Sequence, residues 1–140
     1  MSNTLIGKIL KGIQIAEDRM AIKFITNVGE VVALADADCC SNTWIEHVEL
    51  PALGFPSLVT DVVNLDMGKE DEWTDEDEFI QYYGCKISTD KGDIVIDYRN
   101  SSNGYYGGDL IWPKDNDVFY GGVFGQNVSG NVWVDLTEDL

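Results

Sequence analysis

The sequence predicts a mainly β fold, a β-rich chain with one or two short helices whose roughly eight strands form a small antiparallel barrel or sandwich. Short β-branched runs with period-two alternation recur along the chain. Gly, Asn and Asp punctuate them at close spacing. A hairpin pattern over residues 79–98 is the clearest single signal.

Ile9 to Ile15 and Met20 to Thr26 read as strands joined through Ala16-Glu17-Asp18-Arg19. Asn27-Val28-Gly29 supplies the next turn and Glu30 to Ala35 a third strand, in meander order. At Ser41-Asn42-Thr43-Trp44-Ile45-Glu46 the pattern changes, because Ser and Thr are good caps and Thr43 with Glu46 has capping-box spacing. This predicts a short helix to about Glu49, ended by Pro51 and Gly54, with Trp44 and Ile45 anchoring it on the sheet.

Ser57 to Leu65 returns to strand character. Between Glu70 and Glu78 seven of nine residues are acidic, so repulsion and solvation place this run on the surface as a loop or a frayed first helical turn, with Trp73 in its middle. Phe79 to Ser88 and Asp93 to Tyr98 pair across a turn at Thr89-Asp90-Lys91-Gly92. Alternation sends Ile94, Ile96 and Tyr98 to the core, and Asp93, Val95, Asp97 and Arg99 to the other face. Further strands are expected through Leu110-Ile111-Trp112, Val118 to Phe124 and Val132 to Leu136.

A chain of 140 residues with 44% hydrophobic content suits one domain. No Pro/Ser-rich linker and no internal repeat stands out, so residues 1–140 read as a single domain, with 1–112 as its core and 113–140 as a C-terminal β extension. No stretch has the length of a bilayer span, and the first residues lack a signal-peptide pattern. Three cysteines, two of them adjacent, fit a reducing compartment, and a cytoplasmic location is expected.

The net charge of −16 comes from 25 acidic against 9 basic residues. Direct nucleic-acid binding and attraction to anionic lipid are disfavoured, since both need clustered Lys and Arg. Fast encounter with a basic partner is favoured.

Catalytic chemistry finds little footing. His47 is the one histidine, and a Cys39 or Cys40 pair with it would face Asp36, Asp38, Glu46 and Glu49, which raise a thiol pKa. Cys39, Cys40, His47 and Cys85 match no zinc spacing, and the acidic run lacks the glycine of a calcium loop. Phosphate-cradle motifs are absent, and no cofactor or metal is expected.

The segment from Tyr98 to Gly108 sets Arg99, one of two arginines, beside Asn100, Ser101, Ser102, Asn103, Tyr105 and Tyr106. A forked cation among amides, hydroxyls and rings suits a polar, partly aromatic ligand such as a nucleotide. The same residues also fit a tight turn in which Arg99 pairs with Asp97.

Asp38-Cys39-Cys40-Ser41-Asn42-Thr43-Trp44-Ile45-Glu46-His47, Tyr83-Gly84-Cys85-Lys86-Ile87 and Tyr98 through Gly108 together resemble an uncharacterised family of small phage and bacterial proteins, over about residues 5–112. The resemblance implies a phage or prophage accessory protein directed against host defence and acting in the host cytoplasm.

Three functions follow as expectations. The first is non-catalytic sequestration of a small nucleotide-like signal by Arg99, Asn100, Ser102, Asn103, Tyr105 and Tyr106. The second is an acidic nucleic-acid mimic that binds a basic surface of a host protein through Glu70, Asp71, Glu72, Asp75, Glu76, Asp77 and Glu78. A Cys/His-dependent enzyme is the third. Homo-oligomer formation through exposed strand edges is a further expectation.

Overall fold

The computed structural model describes residues 4–37, 41–102, 108–112 and 132–136, with backbone alone at 36–37. These residues form one antiparallel ten-stranded sheet that curls without closing. Its strands are β1 (Ile9–Ala16), β2 (Ala21–Thr26), β3 (Gly29–Ala37), β4 (Asn42–Glu49), β5 (Ser57–Leu65), β6 (Glu72–Trp73), β7 (Phe79–Thr89), β8 (Gly92–Ser102), β9 (Gly108–Ile111) and β10 (Trp133–Asp135). The order across the sheet is β4-β8-β7-β5-β1-β2-β3-β9, with β10 added to β1 and β6 to β7. The mainly β class is as the alternating patterns require. The expected strand over 118–124 falls outside the described residues.

The inner face carries the core. Leu10, Ile13, Phe24, Val31, Ile45, Val59, Ile87, Ile94 and Ile96 are buried together, and Leu5 joins them from the segment before β1. Each such aliphatic side chain contributes about 1.5–3 kcal/mol by leaving water. Ile94, Ile96 and Tyr98 point inward as expected.

The helix expected over 41–49 is instead strand β4, and there is no helix among the described residues. Thr43 and Ile45 are buried while Asn42 and Glu46 are exposed, a period of two that the capping-box spacing masks. Pairing with β8 decides the matter, with a bulge between Ile45 and His47 at Glu46. Arg19, at the β1–β2 turn, spans the unpaired side of β4: its Nη1 donates to the carbonyls of Ile45 and Glu46 at 3.1 and 2.9 Å, and Ile45 N–H donates to its own carbonyl at 2.8 Å.

The sheet also contains a repeat that the sequence reading missed. β1-β2-β3 and β5-β7-β8 are the same bulged meander: the pairs Leu10↔Thr26 and Gly12↔Ile25 recur as Val59↔Thr89 and Asp61↔Ser88, with the register shift at the same point. The turns Thr26-Asn27-Val28-Gly29 and Thr89-Asp90-Lys91-Gly92 are built alike. Thr Oγ1 donates to the Gly carbonyl at 2.6 Å in both, and accepts from the N–H of Val28 or Lys91. Gly29 and Gly92 have φ of 133° and 122°, a conformation that favours glycine.

The last strand of each half is exchanged. β4 follows β3 yet pairs with β8, and β9 follows β8 yet pairs with β3, so that Thr43↔Asn100 corresponds to Gly108↔Ala37. The halves meet at Ile9↔Leu58 on β1 and β5, which are counterparts of each other and therefore lie on the pseudo-twofold axis. They differ most at one place. β1 reaches β2 through residues 17–20, whereas the corresponding stretch from Leu65 to Gly84 takes residues 66–83 and contains the acidic run.

Candidate functional site

Alternation along β8 splits the residues that the sequence grouped around Arg99. Tyr98, Asn100 and Ser102 are buried and face inward, while Arg99 and Ser101 lie on the outer face. Asn103, Tyr105 and Tyr106 lie outside the described residues.

The Arg99 guanidinium is held by two carboxylates. Its Nε and Nη2 donate to Asp97 at 3.3 and 3.2 Å, and Nη1 lies 3.7 Å from Glu46 Oε1. The Asp97 hydrogen bonds raise its pKa further, so it is a fixed cation. Glu46 also accepts from Trp44 Nε1 at 3.1 Å, and Arg99 stands 5.0 Å from the centre of the Tyr82 ring.

Asn100 is fully buried on the other side of the sheet. Its Oδ1 accepts from Thr43 Oγ1 at 2.9 Å and its Nδ2 donates to Gln81 Oε1 at 3.1 Å. Gly108 is the close neighbour of this pair, and Tyr83 stacks on Tyr98 at 5.3 Å beside it. Thr43, Tyr83, Tyr98 and Asn100 thus bring the three sequence motifs together, with half-buried Gln81 closing the polar side. Arg99 and Asn100 therefore do not converge on one hollow.

The Cys/His constellation is likewise dispersed. Cys39 and Cys40 lie outside the described residues. His47 is exposed on β4, opposite Asp97. Cys85 is buried on β7, and loss of solvent pushes its thiol up to about 12, so it stays protonated and unreactive. No group of three or more His, Cys, Asp or Glu side chains is arranged for a metal among the described residues.

The acidic run, expected as a loop or a frayed helical turn, instead contains a strand, because the backbone of Glu72 and Trp73 finds partners on β7. Glu72 and Trp73 pair with Ile80 and Phe79, making β6–β7 a hairpin. Thr74 organises its turn: its N–H donates to the Glu78 carbonyl at 2.8 Å, and its Oγ1 accepts from the N–H groups of Glu76 and Glu78 at 3.3 and 3.2 Å. Glu70, Asp71, Glu72, Asp75, Glu76, Asp77 and Glu78 are all exposed. Trp73 is 59% exposed among them, resting against Phe79 at 5.1 Å between ring centres.

Beside the hairpin lies an open hollow of about 550 Å³ lined by Lys69, Glu70, Asp71, Glu72 and Tyr82. The Tyr82 hydroxyl donates to Glu72, and this bond raises the phenol pKa. Lys69 Nζ is 5.2 Å from the Tyr82 ring centre. One ring thus stands beside both the Lys69 ammonium and the Arg99 guanidinium, with carboxylates around it. Such a surface attracts cations and repels phosphates. Tyr82 and Lys69 were not singled out by sequence reasoning, and Trp73 was noted without a role. For Trp73 the available signal was its place between Asp71-Glu72 and Asp75-Glu76; Tyr82, between Gln81 and Tyr83, carried none.

The model of the family described as Domain of unknown function (DUF7448) matches residues 3–112, and the chain belongs to that family. Comparison with curated proteins gives no match, and comparison with solved structures gives none. The family match ends at Trp112, one residue beyond β9, so β10 lies outside it.

Proposed function

We propose that this protein is a non-catalytic binding protein that engages a basic surface of another protein, of the kind that holds nucleic acid, through the β6–β7 acidic hairpin. The observation that carries this reading is the exposed Trp73 set among seven exposed carboxylates on a hydrogen-bonded hairpin. Large aromatic residues dominate binding energy at interfaces, and surrounding charges steer encounter and register. The hairpin's place supports the reading too. Its outer strand, β6, is built where the other half of the fold manages with residues 17–20, and it lies off the main strand path, so the β5-β7-β8 meander does not need it. The net charge of −16 acts in the same direction. A host defence protein would fit the partner class that the family resemblance suggests.

Sequestration of a nucleotide-like ligand by Arg99, Asn100, Ser102, Asn103, Tyr105 and Tyr106 has less support. Arg99 would have to leave Asp97 and Glu46 to meet a phosphate, and Asn100 and Ser102 face away from it.

The test uses the full chain as bait, with a variant in which Glu70, Asp71, Glu72, Asp75, Glu76, Asp77 and Glu78 become Gln or Asn, and with Trp73→Ala. Proteins retained by wild type should be lost from both variants, be displaced by duplex DNA, and dissociate steeply as salt rises from 50 to about 300 mM, since screening shortens to under 10 Å over that range. A partner held equally by all three proteins, or insensitive to salt, overturns the reading. Calorimetric heat with a cyclic dinucleotide that vanishes in Arg99→Ala would restore the nucleotide alternative.

A further inference from the structure

The internal repeat turns one strand contact into information about another. β10 is hydrogen-bonded along β1 through Gln14↔Asp135, Ile15↔Val134 and Ala16↔Trp133. Its ends are fixed by Glu17 N–H donating to the Val132 carbonyl at 2.8 Å and Leu136 N–H donating to the Ile13 carbonyl at 2.9 Å. On the outer face it completes a row across five strands, Trp133-Ala16-Ala21-Leu34-Ile111, in which two alanines leave room for the indole. The edge of β1 beyond Leu10 is thus a strand-accepting edge, and it is filled.

By the correspondence of the two meanders, Gln14, Ile15 and Ala16 have Val63, Asn64 and Leu65 on β5 as counterparts. That edge has no strand on it among the described residues: β5 meets β1 at Ser57 and Leu58 and the segment before β1 at Val59, whose N–H donates to the Lys8 carbonyl and whose carbonyl accepts from Gly7 N–H, and from Asp61 onward it pairs with β7 alone. In the filled copy Ile13 and Glu17 turn their backbone groups toward β10. The same phase directs the N–H and C=O of Val62 and Asn64 outward. Val62 N–H is met by its neighbour Asp61, whose Oδ1 accepts from it at 2.9 Å, while Val63 and Asn64 are exposed. An open edge of this kind accepts an extended segment by strand addition.

We propose that the β5 edge at Val62–Leu65 binds an extended basic segment of the partner protein, which adds to the sheet as a strand where β10 adds on the twin edge. Charge selects the occupant. Asp61 and Asp66 flank the edge, and the chain runs from Leu65 directly into the acidic stretch that lines the hollow beside Tyr82. The β10 of a second copy, Trp133-Val134-Asp135, would bring a carboxylate to this place, whereas a segment alternating apolar and cationic residues would meet carboxylates with its cations. The proposal rests on the basic-partner reading above and adds the backbone mode and its location.

The test uses ¹⁵N-labelled full-length protein and the capped hexapeptide Val-Lys-Val-Lys-Val-Lys. Two companions accompany it: the same peptide N-methylated at alternate residues, which keeps the charge but cannot form a ladder, and a Val-Glu analogue. Asn64→Pro serves as the blocking variant, because its N–H is not the one that β7 uses and proline is tolerated on an edge. The Val-Lys peptide should slow exchange of the Asn64 amide at least tenfold and bind Asn64→Pro at least tenfold more weakly. The N-methylated peptide should shift only signals from residues 70–78, and the Val-Glu peptide none. If both basic peptides bind wild type and Asn64→Pro alike, with Asn64 exchange unchanged, strand addition is wrong and acidic docking survives. If neither basic peptide moves the 70–78 signals, the basic-partner reading falls as well.

Discussion

Ile9 and Leu58 face each other across β1 and β5, and each makes the same two bonds to the turn of its own half. Ile9 N–H donates to Asn27 Oδ1 at 3.1 Å and Leu58 N–H to Asp90 Oδ1 at 2.8 Å, while the N–H groups of Asn27 and Asp90 donate back to the carbonyls of Ile9 and Leu58. Their exposures, 39% and 40%, are nearly the same. A two-residue contact thus fastens two hairpin turns to the central seam of the sheet.

Thr26→Ala and Thr89→Ala should therefore cost alike. Each removes one hydroxyl that donates to a glycine carbonyl and accepts from a backbone N–H. About 1–2 kcal/mol each is expected from chemical denaturation, additive in the double variant because the sites share no partner. Costs differing by more than about twofold would contradict the equivalence of the two turns.

Gly108→Ala should be poorly tolerated. A Cβ there would lie 2.0 Å from Thr43 Oγ1 and 3.0 Å from Asn100 Oδ1. The side chains must shift, at about 1–3 kcal/mol. Thr43→Ala removes the clashing hydroxyl but also its bond to Asn100, so the double variant should be more stable than the sum of the two losses implies. A thermal or urea-melt cycle measures this coupling, and strict additivity would show that the two positions do not meet.

Stability should fall at high pH, with Cys85 as one contributor. Its folded pKa of about 12 exceeds the unfolded value of 9.0. The unfolded chain therefore releases this proton first, and between about pH 9 and 12 each unit removes up to about 1.4 kcal/mol of stability; below pH 9 the contribution is intact. Tyr98 moves the same way, since burial raises its phenol pKa. Cys85→Ala should lose stability at neutral pH through the cavity but show a shallower alkaline slope. An unchanged slope would mean that the thiol is not the titrating group.

Thr74→Ala should loosen the acidic hairpin without unfolding the sheet. The Oγ1 that accepts from Glu76 and Glu78 is lost, while the β7–β8 ladder is untouched. Hydrogen exchange should accelerate at residues 74–78 and stay unchanged at Ile94 and Ile96.

Much of the sheet was legible because burial leaves a period of two. Ile94, Ile96 and Tyr98 declare their face by alternation alone. β4 was misread because Thr43 and Glu46 have cap spacing, and only the distant β8 reveals that Thr43 is an inward-facing strand residue. Arg99 was read ambiguously. Its tie to Asp97 follows from two residues sharing one strand face, but its contact with Glu46 required β4 to be a strand. The repeat was also in view: Lys23, Thr26, Gly29, Val31 and Val32 recur at matching spacing as Lys86, Thr89, Gly92, Ile94 and Val95. Unequal connections, residues 17–20 against 66–83, hid it from any search at fixed period.

The traded last strands make each half of the chain dependent on the other. Residues 50–56 join the halves, and cutting there would leave two pieces, each lacking a neighbour for its own third strand and holding the one its counterpart needs. Such pieces should reassociate when mixed, which makes this connector a natural place to split the protein into complementing fragments.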